Sequence, residues 1–130
     1  MRLALHNHQK GQSKYWRPEL VLEACRNRSK RLGACCDDGQ WVRSGLDPVE
    51  CLHQLKDRII SFHLKDVARK GDSNSPNTVI GQGQADWDEI FHLCETIGGT
   101  RWYVVEQGGP EGIGLEIPRR CLEALRRMGK

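Results

Sequence analysis

The sequence lacks any long apolar run. Its 130 residues contain no stretch of about 18 consecutive apolar residues, which is the length that identifies a membrane-spanning helix. The short apolar segment Leu3–Leu5 is followed directly by the polar residues His6–Lys10, so the apolar core of a secretory signal is also missing. We therefore expect no membrane partner and a cytoplasmic location.

Paired cysteine motifs are absent as well. The chain has six cysteines, and no two of them form a Cys-x-x-Cys motif. Cys35 and Cys36 are adjacent in a strand-like segment, so their side chains should point to opposite faces of a sheet. We expect all six to be free thiols, mostly buried, in a reducing compartment.

A strong net charge is the third absence. The chain has 20 basic and 17 acidic residues, which gives a formal net charge of +3. A charge this small does not by itself imply binding to nucleic acid or to a membrane. Basic residues cluster at 26–31 and 118–127, and both clusters are typical of solvated helix faces or helix C-termini. We therefore predict no nucleic-acid partner.

Strand-like and helix-like segments alternate along the chain, whose length suits one domain. The four strand-like segments are RLAL (2–5), LGACC (32–36), RIISFHL (58–64) and RWYVV (101–105). The four helix-like segments cover residues 17–30, 44–55, 85–97 and 117–130, and a long Gly/Ser/Asn loop is predicted over 67–84. Strands that are short and continuously apolar are typical of a parallel sheet covered by helices, which predicts an α/β fold.

Polar residues that can bind metals or move protons follow every predicted strand. They are His6, Asn7 and His8, then Asp37 and Asp38, then His63, Lys65 and Asp66, and finally Glu106 and Gln107. Carboxyl ends of parallel strands lie on one side of the sheet, where α/β active sites form. Mixed oxygen and nitrogen ligands suit Mn²⁺, Mg²⁺, Co²⁺ or Zn²⁺.

Each of these residues also has a purely structural interpretation. His63 could be a hydrogen-bonded core histidine, Asp37 a helix cap, and Glu106 the partner of an arginine. The joint pattern favours a metal site, because buried carboxylates are costly unless they are paired or bound to a metal.

Five segments resemble one known family across nearly the whole chain. They are LALHNH (3–8), GACCDDGQWVRSGLDPVE (33–50), DRIISFHLKDV (57–67), IGQGQADWDEIF (80–91) and WYVVEQ (102–107). They resemble the sugar phosphate isomerase/epimerase family, which has a xylose isomerase-like TIM barrel and is related to a class of apurinic endonucleases. The resemblance implies that residues 1–130 form one half of a (βα)₈ barrel, with four parallel βα units that correspond to strands five to eight.

The resemblance also implies roles for particular residues. The implied metal ligands are His6, Asp37, His63 and Glu106, the implied catalytic residues are Glu106 and Lys65, and the implied substrate contacts are His8, Asp38, Lys65 and Asp66. Two positions depart from the family pattern. His6 stands where many relatives have Glu, so His8 is the alternative first ligand. Gln40 stands where relatives commonly have His, a zinc ligand in the endonucleases.

The implied function is isomerisation or epimerisation of a sugar or sugar phosphate. Such a reaction moves a proton next to a carbonyl, and a divalent metal stabilises the enediolate. Because His6 replaces the usual second glutamate, a mechanism with two carboxylate bases would be altered. The alternatives are an apurinic endonuclease-like metal-dependent hydrolase and an inactive half-barrel remnant.

A complete barrel of this type needs about 250 residues. We therefore expect either that the chain is a fragment without its N-terminal half barrel, or that the half barrel assembles as a homodimer. An isolated half barrel leaves two sheet edges open, and open edges invite pairing with another chain.

Overall fold

The centre of the fold is a parallel four-stranded sheet. The computed structural model describes residues 1–107 and 115–130. The sheet has the order β1-β2-β3-β6, and a separate antiparallel pair is formed by β4 and β5. The strands are β1 (Leu3–His6), β2 (Leu32–Asp37), β3 (Ile59–Leu64), β4 (Asp66–Val67), β5 (Asn77–Thr78) and β6 (Trp102–Val105). This arrangement confirms the predicted parallel α/β architecture.

Helices lie between successive strands of the sheet, and α5 follows the last strand. They are α1 (Pro18–Cys25), α2 (Asp38–Arg43), α3 (Pro48–Leu55), α4 (Trp87–Thr96) and α5 (Glu116–Arg127), with a 3₁₀ turn at Lys56–Arg58. Local sequence explains where α3 begins. Asp47 caps α3 by accepting a hydrogen bond from the Val49 amide, and Pro48 occupies the first turn, where its missing N–H costs nothing. None of the described helices combines the length and apolar character needed to cross a bilayer.

The register of the strands decides which side chains share a face. His6 lies opposite Cys35 in the β1–β2 pair, and Asp37 lies opposite His63 in the β2–β3 pair. The register shifts between Ala34 and Cys35, which marks a local irregularity in β2. Because side chains alternate along a strand, Cys35 and Asp37 point to the same side and Cys36 to the other.

The apolar core fills the space between the sheet and the helices. Trp41, Leu52, Phe62 and Ile90 are each at most 1% exposed there. The opposite face of the sheet is open where β6 contributes to it. Trp102, whose register partner is Ser61, is 70% exposed on that face. All six cysteines are buried and free, as predicted.

The predicted helices and the predicted long loop differ from the observed elements in three ways. The first helix ends at Cys25 instead of continuing to residue 30, and α2 was not predicted at all. The predicted loop over 67–84 contains β5, which pairs with β4. The cap and the start of α2 read Asp37-Asp38-Gly39, a composition typical of turns. The segment becomes a helix because Asp37 caps it and Trp41 packs into the core.

Asp66 organises the loop that follows β5. Its carboxylate, 1% exposed, accepts hydrogen bonds from the amides of Gly81, Gly83 and Gln84 at 2.9–3.0 Å. The indole of Trp87 donates a further bond at 3.0 Å. A Cβ at position 83 would lie 2.1 Å from an oxygen of Asp66, so this close approach requires glycine. The predicted contact of Asp66 with substrate stays a prediction, and both of its oxygens are already bonded within the protein.

We predict that Asp66→Asn lowers the free energy of unfolding by about 3 kcal/mol, because several donors lose a charged acceptor and the new amide group faces them. Urea denaturation followed by circular dichroism measures the change. Asp86→Asn is the matched control: Asp86 caps α4 by accepting from the Glu89 amide, and asparagine is an equally good cap. Equal stability loss in the two variants would contradict the anchoring role of Asp66.

Candidate metal site

Four side chains from four neighbouring strands meet at the carboxyl edge of the sheet. His6, Asp37, His63 and Glu106 each offer one ligand atom, and these atoms all lie within 4.8 Å of one another. His6, Asp37 and Glu106 stand at or just beyond the ends of β1, β2 and β6, and His63 is the penultimate residue of β3. The set is the same as the one predicted from the sequence.

The structure separates the two histidines of the HNH segment. His6 belongs to the four-residue group, and its side chain is 27% exposed. His8 is exposed, and its ring centroid lies 4.7 Å from that of His6. His8 therefore stands beside the group at its solvent side, a position compatible with its predicted contact to substrate.

Asn7 has a structural role that its place between the two histidines did not reveal. It is 2% exposed, its amide nitrogen donates to the Asp37 carbonyl at 2.9 Å, and its amide oxygen accepts from the Asp37 backbone N–H at 2.7 Å. These two bonds continue the β1–β2 ladder beyond His6 and fix the end of one strand against the other. The only sequence signal was an amide residue between the two histidines.

Asp37 is fully buried at the centre of the site. One oxygen caps α2 by accepting from the Gln40 amide at 3.0 Å, and the other accepts from Lys65 Nζ at 2.8 Å. Burial alone would raise the pKa of Asp37, but contact with His6 and the charge of Lys65 outweigh burial and lower it. The helix-cap interpretation of Asp37 is therefore confirmed, and the same side chain is ionised, which is the state that the predicted ligand role requires.

Lys65 joins the two carboxylates of the site. Its ammonium group lies 2.7 Å from one oxygen of Glu106, while the other oxygen of Glu106 contacts His63 Nδ1 in a very short hydrogen bond. Burial works against charge on Lys65, but Asp37 and Glu106 outweigh it and raise the pKa of Lys65. Burial would likewise raise the pKa of Glu106, but hydrogen bonding to Lys65 lowers it. All three groups are therefore charged at neutral pH.

Asp38 lies next to this centre but is closed off from solvent. It is 0% exposed, and one of its oxygens accepts from the backbone N–H of Lys65 at 3.0 Å. Burial, and next the charge of Asp37, raise the pKa of Asp38 well above its usual value, which favours the protonated form. The predicted contact of Asp38 with substrate stays a prediction, and the bond that the structure shows for Asp38 holds the Lys65 backbone.

Glycine at position 39 allows Lys65 to pack closely against the first turn of α2. A Cβ there would lie 2.7 Å from both the Lys65 carbonyl oxygen and its side-chain Cγ. Gln40 contributes its backbone N–H to Asp37, and its side-chain oxygen is buried without a hydrogen-bond partner. The substitution of His by Gln at position 40 thus keeps the capping bond, which comes from the main chain.

The donor set fits a divalent cation. His6 Nε2 is buried without a hydrogen-bond partner, at 3.5 Å from the nearest oxygen of Asp37. Two imidazoles and two carboxylates are the mixed nitrogen and oxygen ligands that Zn²⁺, Co²⁺ and Mn²⁺ accept. The Sγ of Cys35 forms a second, overlapping group with His6 and His63 within the same 4.8 Å limit. Cys35 was not predicted as a ligand, although its spacing from Asp37 places both on one face.

The fold is similar to several solved TIM barrels. A D-tagatose 3-epimerase-like protein matches 98% of this chain and 46% of its own, with a TM-score of 0.76 and 22% identity. The IolI protein, solved with a bound zinc atom, matches 96% of this chain and 48% of its own, with a TM-score of 0.73 and 21% identity. A xylose isomerase domain protein from Planctomyces limnophilus matches 99% and 44%, with a TM-score of 0.72 and 18% identity.

A curated relative is similar at the level of sequence. The inosose dehydratase of Lacticaseibacillus casei is 31% identical over 84 residues, a match that covers 54% of this chain and 28% of that protein. The chain thus spans less than a third of this curated relative and about half of each solved structure.

A family profile covers almost the entire chain. Residues 1–128 match the profile described as xylose isomerase-like TIM barrel. The four-stranded parallel sheet and the solved structures agree with this match in fold. The chain belongs to the family of xylose isomerase-like TIM barrels.

Proposed function

We propose that this chain carries the metal centre of a divalent metal-dependent isomerase or epimerase that acts on a sugar or sugar phosphate. The observation that carries the proposal is the convergence of His6, Asp37, His63 and Glu106 from four separate strands. A bound divalent cation would polarise the carbonyl and hydroxyl oxygens of the sugar and stabilise the charge of the enediolate.

Glu106 is the best placed group to move the proton. Its side chain is 42% exposed, against 27% for His6, 22% for His63 and 0% for Asp37. Its lowered pKa keeps it ionised at neutral pH, so it can accept the proton from the carbon next to the carbonyl. The bonds to Lys65 and His63 hold both of its oxygens in place for that transfer.

Lys65 acts through the carboxylates in this proposal. Its ammonium group keeps Asp37 and Glu106 ionised and orients Glu106 toward the open side of the site. Because its side chain is only 6% exposed, Lys65 can contact a substrate oxygen only at a point where the substrate also contacts Glu106. Its predicted catalytic role is therefore to stabilise negative charge that develops beside Glu106.

A dehydratase is the second candidate function. The observation in its favour is the sequence similarity to inosose dehydratase, which includes 31% identity over 84 residues. Removal of a proton next to a carbonyl is also the first step in losing a neighbouring hydroxyl group as water, so Glu106 would serve the same purpose.

Gln40, which replaces a histidine that is a zinc ligand in the endonucleases, weighs against the hydrolase alternative.

We further propose that the working site includes four more βα units, supplied by an N-terminal half barrel or by a second copy of the chain. The sheet face that bears the site also carries Trp102 and Val104, which are 70% and 46% exposed. Large apolar side chains on a sheet face favour coverage by another layer. The solved relatives, about twice as long, support the same proposal.

Glu106→Gln tests the proposal directly. We expect the affinity for Mn²⁺ and Zn²⁺ to fall by about 10-fold or more, because an anionic ligand becomes a neutral one. Isothermal titration calorimetry measures the affinity, and incorporation of solvent deuterium into ketose substrates measures proton transfer. Glu123→Gln, an exposed position on α5, is the matched control and should change neither quantity. Unchanged metal affinity and deuterium incorporation in Glu106→Gln would reject the assignment.

Lys65→Met separates the role of the ammonium group from that of the ligands. Loss of the positive charge leaves Asp37 buried and unpaired, so the metal-free protein should lose about 3 kcal/mol of stability. Metal affinity should rise on the order of 10-fold, because no ammonium group competes with the cation for the two carboxylates. Lys65→Arg keeps the charge and is the control. Thermal denaturation with and without Zn²⁺ reports both effects, and weaker metal binding in Lys65→Met would contradict this account.

A further inference from the structure

We propose that Cys35 is a further metal ligand and that this site therefore prefers thiophilic cations, Zn²⁺ or Co²⁺, over Mg²⁺ and Mn²⁺. The inference rests on the proposed metal site and names the class of cation that the site takes. None of the ligand sets implied by the family resemblance includes a cysteine.

The position of Cys35 follows from the strand register. It lies opposite His6 in the β1–β2 pair. It precedes Asp37 by two residues in β2, so both side chains are on the same face of the sheet. Its sulfur and one nitrogen from each of His6 and His63 all lie within 4.8 Å of one another. Cys35 is 8% exposed, so the sulfur faces the site from below and not from solvent.

Two donor sets therefore share the same pair of histidines. Asp37 and Glu106 complete the upper set with oxygen, and Cys35 completes the lower set with sulfur. Sulfur ligands select Zn²⁺ and similar ions, whereas carboxylates alone suit Mg²⁺ and Mn²⁺. Zinc most often takes four ligands, and the lower set supplies three of them, which are His6, His63 and Cys35.

The adjacent residues show which side of the sheet carries the sulfur of Cys35. Cys35 lies opposite Ser61 in the β2–β3 pair. Cys36, the adjacent residue, points to the other face of the sheet and packs in the apolar core with Phe62. The sulfur of Cys35 therefore faces the two histidines, and the sulfur of Cys36 does not.

Cobalt absorption spectroscopy tests the inference. A Co²⁺ ion bound to thiolate gives an intense sulfur-to-cobalt charge-transfer band in the near ultraviolet, in addition to the weaker d–d bands in the visible range. We expect this band in the wild-type protein and in Cys36→Ala. In Cys35→Ser it should disappear while the d–d bands remain, because the other ligands still hold the ion. Cys51→Ala replaces Cys36→Ala as the control if loss of the fully buried Cys36 side chain prevents folding.

Metal competition gives a second readout. The ratio of Zn²⁺ affinity to Mn²⁺ affinity should fall by about 10-fold in Cys35→Ser, because only the thiophilic ion loses a preferred ligand. An unchanged ratio would overturn the inference.

The outcomes distinguish this inference from the proposed function. Wild-type protein that shows d–d bands without a charge-transfer band overturns the role of Cys35 and leaves the metal site intact. A charge-transfer band that persists in Cys35→Ser also overturns it. Wild-type protein that binds no Co²⁺ at all overturns both the inference and the proposed metal site.

Discussion

The ammonium group of Lys65, held between the carboxylates of Asp37 and Glu106, is the interaction on which this end of the fold depends. It joins the ends of β2, β3 and β6. Its two partners, Asp37 and Glu106, lie 28 and 41 positions away from Lys65 along the chain. Asp37 is fully buried, and an unpaired carboxylate there would be strongly destabilising. The same pairing keeps both carboxylates ionised, which is the state that a metal ligand and a proton acceptor require.

Three buried aspartates near the site have different states because their surroundings differ. Asp37 receives a backbone amide and an ammonium group, and its pKa is lowered. Asp38 is next to it, without a cation in direct contact, and its pKa is raised well above the usual value. Asp66 is surrounded by the amides of the loop that it organises. The sequence presents three similar carboxylates, and only the partners of each decide which can act in chemistry.

Much of the fold was predictable, since short apolar strands alternating with helices require a parallel sheet, and a parallel sheet brings all carboxyl ends to one edge. This rule brings the polar residues at the strand ends together, and the family resemblance singles out the four that form the group. The rule does not say how far each side chain lies from solvent. The family resemblance assigned Asp38 and Asp66 to substrate, and the structure encloses both. No role was assigned to Asn7, whose importance lies in two hydrogen bonds to a residue 30 positions away.

The sequence by itself determined the fold class, the free cysteines and the residues that could form a site. These depend on composition and on periodicity along the chain, which are local properties. The tertiary structure decided that His6 and not His8 joins the group, that Cys35 lies beneath it, and that Lys65 pairs both carboxylates. Those outcomes depend on strand register and on burial. Both arise from contacts between distant segments, and a single sequence does not specify which segments meet or at what depth.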